Sequence, residues 1–95
     1  MNQKLIGKFV VIRTYSAGVH CGVLLSREGK EVELSDARRI WYWSGANSLS
    51  QASVDGVAEE SRISVAVPSI VLTEAIEIIE CSDKARENLS RSRWL

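Results

Sequence analysis

Histidine, cysteine and proline are scarce in this sequence, which has one histidine, two cysteines and one proline among its 95 residues. A histidine base paired with a nucleophile would have to use His20, and its neighbour Cys21 points to the opposite face if both lie on a strand. Two cysteines and one histidine without CxxC or HxxxH spacing do not make a zinc site. The patterns GxGxxG and GxxxxGK[ST] do not occur. We therefore expect no enzyme activity, no metal site and no cofactor.

Neither sign of charge is in excess, because twelve Lys and Arg residues balance twelve Asp and Glu residues. Proteins that bind long nucleic acid normally carry a basic excess, so such a partner is not expected. A few local arginines could still hold a small anionic ligand. Charge also interrupts the apolar residues of the first sixteen positions, and we expect neither a membrane span nor a signal peptide. With two cysteines, the reducing cytoplasm is the expected compartment.

Short strands with tight turns are indicated for the first half of the chain. Residues 8–15 and 19–26 alternate with a period of two, and the same period returns at 31–34 and 38–43. The segments SAG, REGK and SDA are the predicted turns. Four such strands, with G-x-L in the second and V-x-L in the third, look like a meander that curls into a small SH3- or Sm-like barrel. Gly22 suits a bend that leaves no room for a Cβ.

The second half mixes helix and strand signals. Ser48 and Gln51 fit a capping box that begins a helix over 48–57, and its apolar face consists mostly of small residues. Strand character returns over 62–81, with Pro68 at an edge or a bulge. The stretch 73–81 fits either a helix or a strand, and its β-branched residues favour the strand. A last helix, with a thin apolar face, is predicted over 82–94.

These segments predict a single domain over 1–95, with a strand meander over 4–43 ahead of the helix at 48–57. The predicted fold class is α+β and mostly β. The sheet is a small curved antiparallel sheet or an SH3/Sm-like partial barrel, with one inserted short helix and one C-terminal helix. A barrel of this size fills its interior with its own side chains, so a nucleotide-sized ligand must bind between subunits. The small-residue helix face, the Pro68 edge and the thin last helix are candidate surfaces for a second copy.

The segment RRIWYW, residues 38–43, concentrates half of the six large aromatic residues. On a strand, Arg39, Trp41 and Trp43 share one face, and Arg38, Ile40 and Tyr42 share the other. One face is expected to be core. The second face needs another surface, which could be the 48–57 helix, a sister subunit or a ligand. Arginines interleaved with aromatic rings suit a nucleotide, because rings stack on the base and guanidinium groups bind phosphates.

Three longer segments carry a family resemblance: IRTYSAGVHCGVL, ELSDARRIWYWSGANSLSQASVDGV and VPSIVLTEAIEIIECS. They resemble small phage-encoded proteins, most specifically in the pattern ARRIWYW-x-GA-x-SL, and within these the first-described class of Thoeris anti-defence proteins. The resemblance covers roughly residues 6–82. It implies a protein that sequesters a cyclic ADP-ribose isomer made by a bacterial TIR-domain enzyme, without cleaving it, and assembly of some members into larger homo-oligomers. It also implies capture of cyclic di- or trinucleotides by some members.

The leading hypothesis is therefore a phage sponge for a cyclic nucleotide immune signal in the host bacterial cytoplasm, binding at inter-subunit sites. Trp41 and either Trp43 or Tyr42 are expected to stack on the base, and Asn47 and Gln51 to read polar edges. Phosphates are expected to bind among Arg13, Arg38, Arg39 and Arg62. The alternative is an Sm- or SH3-like adaptor that binds RNA or a host protein.

Overall fold

Six strands and two helices make up the fold of the computed structural model, which describes residues 4–93. The elements in chain order are β1 (Phe9–Thr14), β2 (Val19–Glu28), β3 (Glu31–Tyr42), α1 (Leu49–Asp55), β4 (Arg62–Ile63), β5 (Val67–Leu72), β6 (Ala75–Glu80) and α2 (Asp83–Leu89). In this part of the chain, neither helix has the length and apolar character needed to cross a membrane.

The strands form one antiparallel sheet in the order β4-β3-β2-β1-β6, and β5 pairs with β3. The first half of β3 pairs with β5 and its last residues pair with β4. β6 lies at the opposite edge of the sheet, yet only Thr73 and Glu74 separate it from β5. Such a short link requires the sheet to curl until its two edges approach each other. The prediction of a mostly β, curved antiparallel sheet with two short helices is confirmed.

Side chains are buried on both faces of the sheet. Val10 and Ile12 of β1 enter a core with residues of β2, β3, β5 and β6, which we call the strand-side core. Phe9 and Val11, at the alternate positions, enter a second core beneath α1 and α2, which we call the helix-side core. Because successive side chains on a strand point to opposite faces, β1 reads as a nearly continuous apolar run.

The predicted turn at SDA is wrong, because β3 continues through it as a β-bulge. Asp36 and Ala37 together oppose Gly22, and Asp36 adopts the left-handed conformation with φ of 49°. Aspartate tolerates this conformation better than most residues, which lets the strand bend instead of turning back. A Cβ on Gly22 would lie 2.8 Å from the Ser35 carbonyl oxygen, as expected for a bend that requires glycine.

Helix α1 packs inside the chain. Ser48 caps it by accepting a hydrogen bond from the Gln51 amide at 3.2 Å. Its small-residue face lies against α2, and a Cβ on Gly56 would come within 2.4 Å of the Asn88 side chain. The interior of this monomer thus already covers the face that was a candidate surface for a second copy.

Helix α2 is shorter than predicted and is also docked inside the chain. Ala85 and Leu89 are fully buried in the helix-side core, so the thin apolar face is not left for a partner. The helix ends at Leu89 with Ser90 as its C-cap, and Arg93 then pairs its backbone with Ile63 in a β-bridge. The predicted helix end at residue 94 lies outside the described residues.

The remaining strand predictions agree with the structure. Residues 75–80 form a strand, as their β-branched content favours. Pro68 lies in β5, which pairs with β3 along one side and is therefore an edge strand in the described sheet. Proline is tolerated at such an edge because its missing N–H breaks no hydrogen bond of the ladder.

Candidate functional site

An open pocket of about 550 Å³ lies between β3 and the segment 64–70. It forms because β4 and β5 both pair with β3, while the chain between them leaves the sheet. Two hydrogen bonds tie Ser64, at the start of this connection, to Arg39 of β3. The Ser64 hydroxyl accepts from the Arg39 amide at 2.9 Å, and the Ser64 amide donates to the Arg39 carbonyl at 3.0 Å. The lining residues are His20, Ala37, Arg38, Arg39, Trp41, Ser64, Val65, Val67 and Ile70.

Trp41 presents an aromatic ring at this pocket. Its neighbour Ile40 is 2% exposed in the helix-side core, and the alternation of the strand turns Trp41 to the other face, where it is 54% exposed. The guanidinium carbon of Arg62, on the adjacent strand β4, lies 6.0 Å from the centre of the Trp41 ring. This is within the range of a cation–π interaction and places a positive charge beside the ring.

The two arginines at the start of RRIWYW both line the pocket but differ in exposure and in partners. Arg39 is exposed at the pocket, and no carboxylate forms an ion pair with it in residues 4–93. Arg38, half-buried, donates a hydrogen bond to the hydroxyl of Ser92 near the C-terminus. Of the two guanidinium groups, that of Arg39 is therefore the one available to a ligand.

His20 lies directly opposite Arg39 in the β2–β3 pair, and 1% of its surface is exposed. Its Nε2 lies 3.0 Å from the Ala17 carbonyl oxygen. Burial lowers the pKa of the imidazole, and the nearby Arg39 charge lowers it further, while the hydrogen bond to Ala17 acts in the opposite direction. The ring is therefore neutral at neutral pH.

The two thiols are not placed to act as nucleophiles. Cys21 faces the helix-side core, away from its neighbour His20, so the two side chains form no catalytic pair. Burial raises the pKa of Cys21 and that of Cys81 to about 12 each, with the neighbouring thiol contributing at Cys21 and Glu80 at Cys81. Both are protonated at neutral pH. Among the described residues, no group of three His, Cys, Asp or Glu side chains could hold a metal ion.

Other predicted site residues lie away from the pocket. Trp43 is half-buried and packs against the same helix-side core as Ile40, so the prediction that it shares a face with Trp41 is wrong, because β3 and its alternation end at Tyr42. Tyr42 is 49% exposed but does not line the pocket. Arg13 forms an ion pair with Glu77 on β6, at 3.6 Å.

Asn47 and Gln51 are exposed at the start of α1 and bond to each other. The Gln51 side-chain oxygen accepts from the Asn47 amide at 2.8 Å, one residue before the Ser48 amide that a capping box would use. Of the nine residues predicted for the site, the structure thus brings together Arg38, Arg39, Trp41 and Arg62.

Six lining residues were not predicted as site residues: His20, Ala37, Ser64, Val65, Val67 and Ile70. Most of them follow RRIWYW by more than twenty positions, and only the pairing of β3 with β4 and β5 brings them to the pocket. One sequence signal was available. Val65 and Val67 alternate with other residues in a segment with few charges, and this pattern predicted a strand. It did not predict their exposure, which is 69% for Val65 and 41% for Val67.

The fold and the pocket define a small protein with a curved antiparallel sheet and an aromatic, arginine-bearing recess on its surface. The chain belongs to the family described as "Domain of unknown function (DUF6948)", whose model matches residues 7–89. The matched region runs from just before β1 to the end of α2 and so includes every lining residue. No curated protein and no solved structure matches the chain.

Proposed function

We propose that this protein binds a cyclic nucleotide immune signal, such as a cyclic ADP-ribose isomer or a cyclic oligonucleotide, and sequesters it without cleavage. The observation that carries the proposal is the exposed Trp41 ring at a pocket that also presents Arg39, with Arg62 beside the ring. The class of signal comes from the resemblance of residues 38–49 to phage anti-defence proteins. Its place of action is then the host bacterial cytoplasm.

The dimensions and chemistry of the pocket support a nucleotide. Its volume of about 550 Å³ lies within the range of about 300–1,000 Å³ that small-molecule sites occupy. An exposed indole can stack on a base, which contributes about 1–3 kcal/mol. Guanidinium groups such as that of Arg39 bind phosphate through paired charge-assisted hydrogen bonds.

Binding without turnover is the chemistry that these side chains support. Both thiols are protonated and buried or half-buried, and His20 is held neutral and does not face Cys21. A sponge must match its signal in number and bind it below its signalling concentration. For signals between nanomolar and micromolar this means about −8 to −12 kcal/mol of binding free energy.

A second copy of the chain is proposed to complete the site. The pocket is open, and its rim carries the exposed valines 65 and 67 together with Trp41. An open recess buries less of a ligand than the 70–90% that tight sites reach, so a covering surface would raise the affinity. The two helices are already packed inside the monomer, which leaves this rim as the better candidate for contact between subunits.

A ligand panel tests the proposal directly. Cyclic ADP-ribose isomers, cyclic dinucleotides and cyclic trinucleotides are titrated by calorimetry, with linear ADP-ribose and adenosine as controls, and sedimentation velocity follows the oligomer. We expect at least one cyclic compound to bind with a Kd between nanomolar and micromolar values. The absence of binding across the whole panel would reject the function.

An adaptor that binds a protein segment is the second candidate. Aromatic-lined grooves with exposed apolar residues are used by SH3-like modules to bind extended peptides, and the recess beside Val65 and Val67 has that character. Affinity capture from host lysate discriminates the two functions. Recovery of one stoichiometric host protein or RNA, together with no response in the ligand panel, would favour the adaptor.

A further inference from the structure

The protonation pattern of His20 can be assigned from its contacts. Its Nε2 lies 3.0 Å from the Ala17 carbonyl oxygen, which can only accept a hydrogen bond. Nε2 must therefore carry the ring proton. In a neutral imidazole the other nitrogen, Nδ1, then has no proton and is a hydrogen-bond acceptor.

This acceptor has no partner within the described chain. No side chain or backbone group in residues 4–93 donates to Nδ1. Nδ1 is also not one of the fully enclosed polar atoms without a partner, which in the described residues are the hydroxyl oxygen of Ser44 and Nε of Arg93. His20 lines the pocket and 1% of the residue is exposed, so a ligand would reach its ring from the pocket.

Beside this acceptor the pocket presents a donor. Arg39 is the cross-strand partner of His20. Side chains of directly opposite residues in an antiparallel pair project on the same face, with their Cβ atoms about 5 Å apart. Arg39 has no carboxylate partner in the described residues, and a guanidinium group can only donate. An acceptor and a donor thus belong to paired residues of the pocket lining, which also includes Trp41.

Adenine is the base whose Hoogsteen edge matches this acceptor and donor. There it presents its exocyclic amino group, a donor, beside the ring nitrogen N7, an acceptor. Guanine presents two acceptors, O6 and N7, on the same edge, and one of them would face the acceptor of His20. A neutral buried acceptor with no other partner favours a ligand group that donates to it.

We propose that His20 is a specificity-determining residue of this pocket: its Nδ1 accepts a hydrogen bond from the exocyclic amino group of an adenine base, and Arg39 donates to N7. The inference rests on the proposed nucleotide binding and adds to it the base that is selected. It assigns a direct ligand contact to a residue that RRIWYW does not contain.

The test pairs a change in the ligand with changes in the protein. The probes are a cyclic ADP-ribose isomer with a free amino group on adenine and the same compound with unsubstituted purine in place of adenine. The wild-type protein is expected to bind the purine analogue about tenfold more weakly, the effect of one lost hydrogen bond. His20→Leu should bind the adenine compound about tenfold more weakly and should not distinguish the two probes.

His20→Asn is the matched variant, because its amide oxygen can take the place of Nδ1 as an acceptor. We expect it to retain most of the discrimination between the probes, and thermal melting reports whether each variant is folded. The wild-type comparison needs no variant, and if His20→Leu does not fold, His20→Asn carries the assignment to residue 20. Loss of the discrimination between the probes in His20→Leu with retention in His20→Asn supports it, and a folded variant without an acceptor at residue 20 that still discriminates would overturn it. Equal wild-type affinity for both probes would overturn the role of His20 and leave nucleotide binding intact, whereas binding of neither probe would overturn both.

Discussion

Replacing Trp41 with alanine should weaken ligand binding while leaving the chain folded. The ring is 54% exposed and belongs to neither core, so its removal opens no large cavity. It does remove the stacking surface of the proposed site, which contributes about 1–3 kcal/mol per base. The expected increase in Kd is therefore about 5- to 150-fold. We expect the free energy of unfolding to fall by about 1 kcal/mol, because the variant loses the contact of the ring with Arg62 but no part of either core.

Trp43→Ala is the informative contrast, since this ring is two residues away and packs against the helix-side core. Removing a fully buried tryptophan costs about 3–5 kcal/mol, and the half-buried Trp43 should cost about 2 kcal/mol of stability. Its effect on ligand affinity should be smaller than that of Trp41→Ala. Tyr15→Ala, at a residue that is 78% exposed outside the pocket, should change neither quantity and is the control.

Two measurements on the three variants separate these effects. Isothermal titration with the tightest compound of the ligand panel gives Kd, and urea denaturation gives the free energy of unfolding. If Trp41→Ala binds as the wild type does, the pocket is not the site. If Trp43→Ala loses binding but not stability, the ligand contacts Trp43 and lies outside the pocket.

Three further predictions concern the fold and the thiols. Gly22→Ala should destabilise the chain by about 1–3 kcal/mol in urea denaturation, because its Cβ meets the Ser35 carbonyl, and unchanged stability would contradict the required bend. Cys21 and Cys81 should resist iodoacetamide at pH 8 until denaturant is added, because both thiols are protonated in the folded protein. Their pKa of about 12 in the folded chain exceeds the ordinary value of 9.0, so the unfolded chain loses these protons first. The free energy of unfolding should therefore fall as the pH rises from 9 to 12. Rapid labelling of the native protein by iodoacetamide would refute the protection of the two thiols. Arg93→Met should cost about 1–3 kcal/mol in thermal or urea unfolding, because three backbone carbonyls lose a buried guanidinium donor, and a neutral result would show that water replaces it.

The strands and the helix starts were predictable where a local rule determines them. The buried β1 follows from its β-branched run, and the start of α1 follows from the spacing of Ser48 and Gln51. Gly22 was predicted at a bend, and in the structure the Ser35 carbonyl oxygen lies where a side chain at this position would begin. In each case a few neighbouring residues carry the physical cause.

The bulge and the pocket were less accessible to sequence reasoning. Asp36 in a turn-like SDA segment is compatible with a turn or with a bulge, and only the partner strand β2 decides between them. The pocket depends on both β4 and β5 pairing with β3, which places Ser64 beside Arg39 across 25 positions. RRIWYW predicted an aromatic and arginine site, but not that His20 would join it.

Recovery of the bound compound tests the central claim most directly. The protein is mixed with an equimolar cyclic ADP-ribose isomer, separated from free ligand by gel filtration, heated, and the released small molecule is identified by mass spectrometry. The account predicts that the intact cyclic compound is released, in a fixed ratio to the protein, and that Trp41→Ala carries much less of it. Release of hydrolysed fragments, or co-elution of no ligand with the wild-type protein, would contradict it.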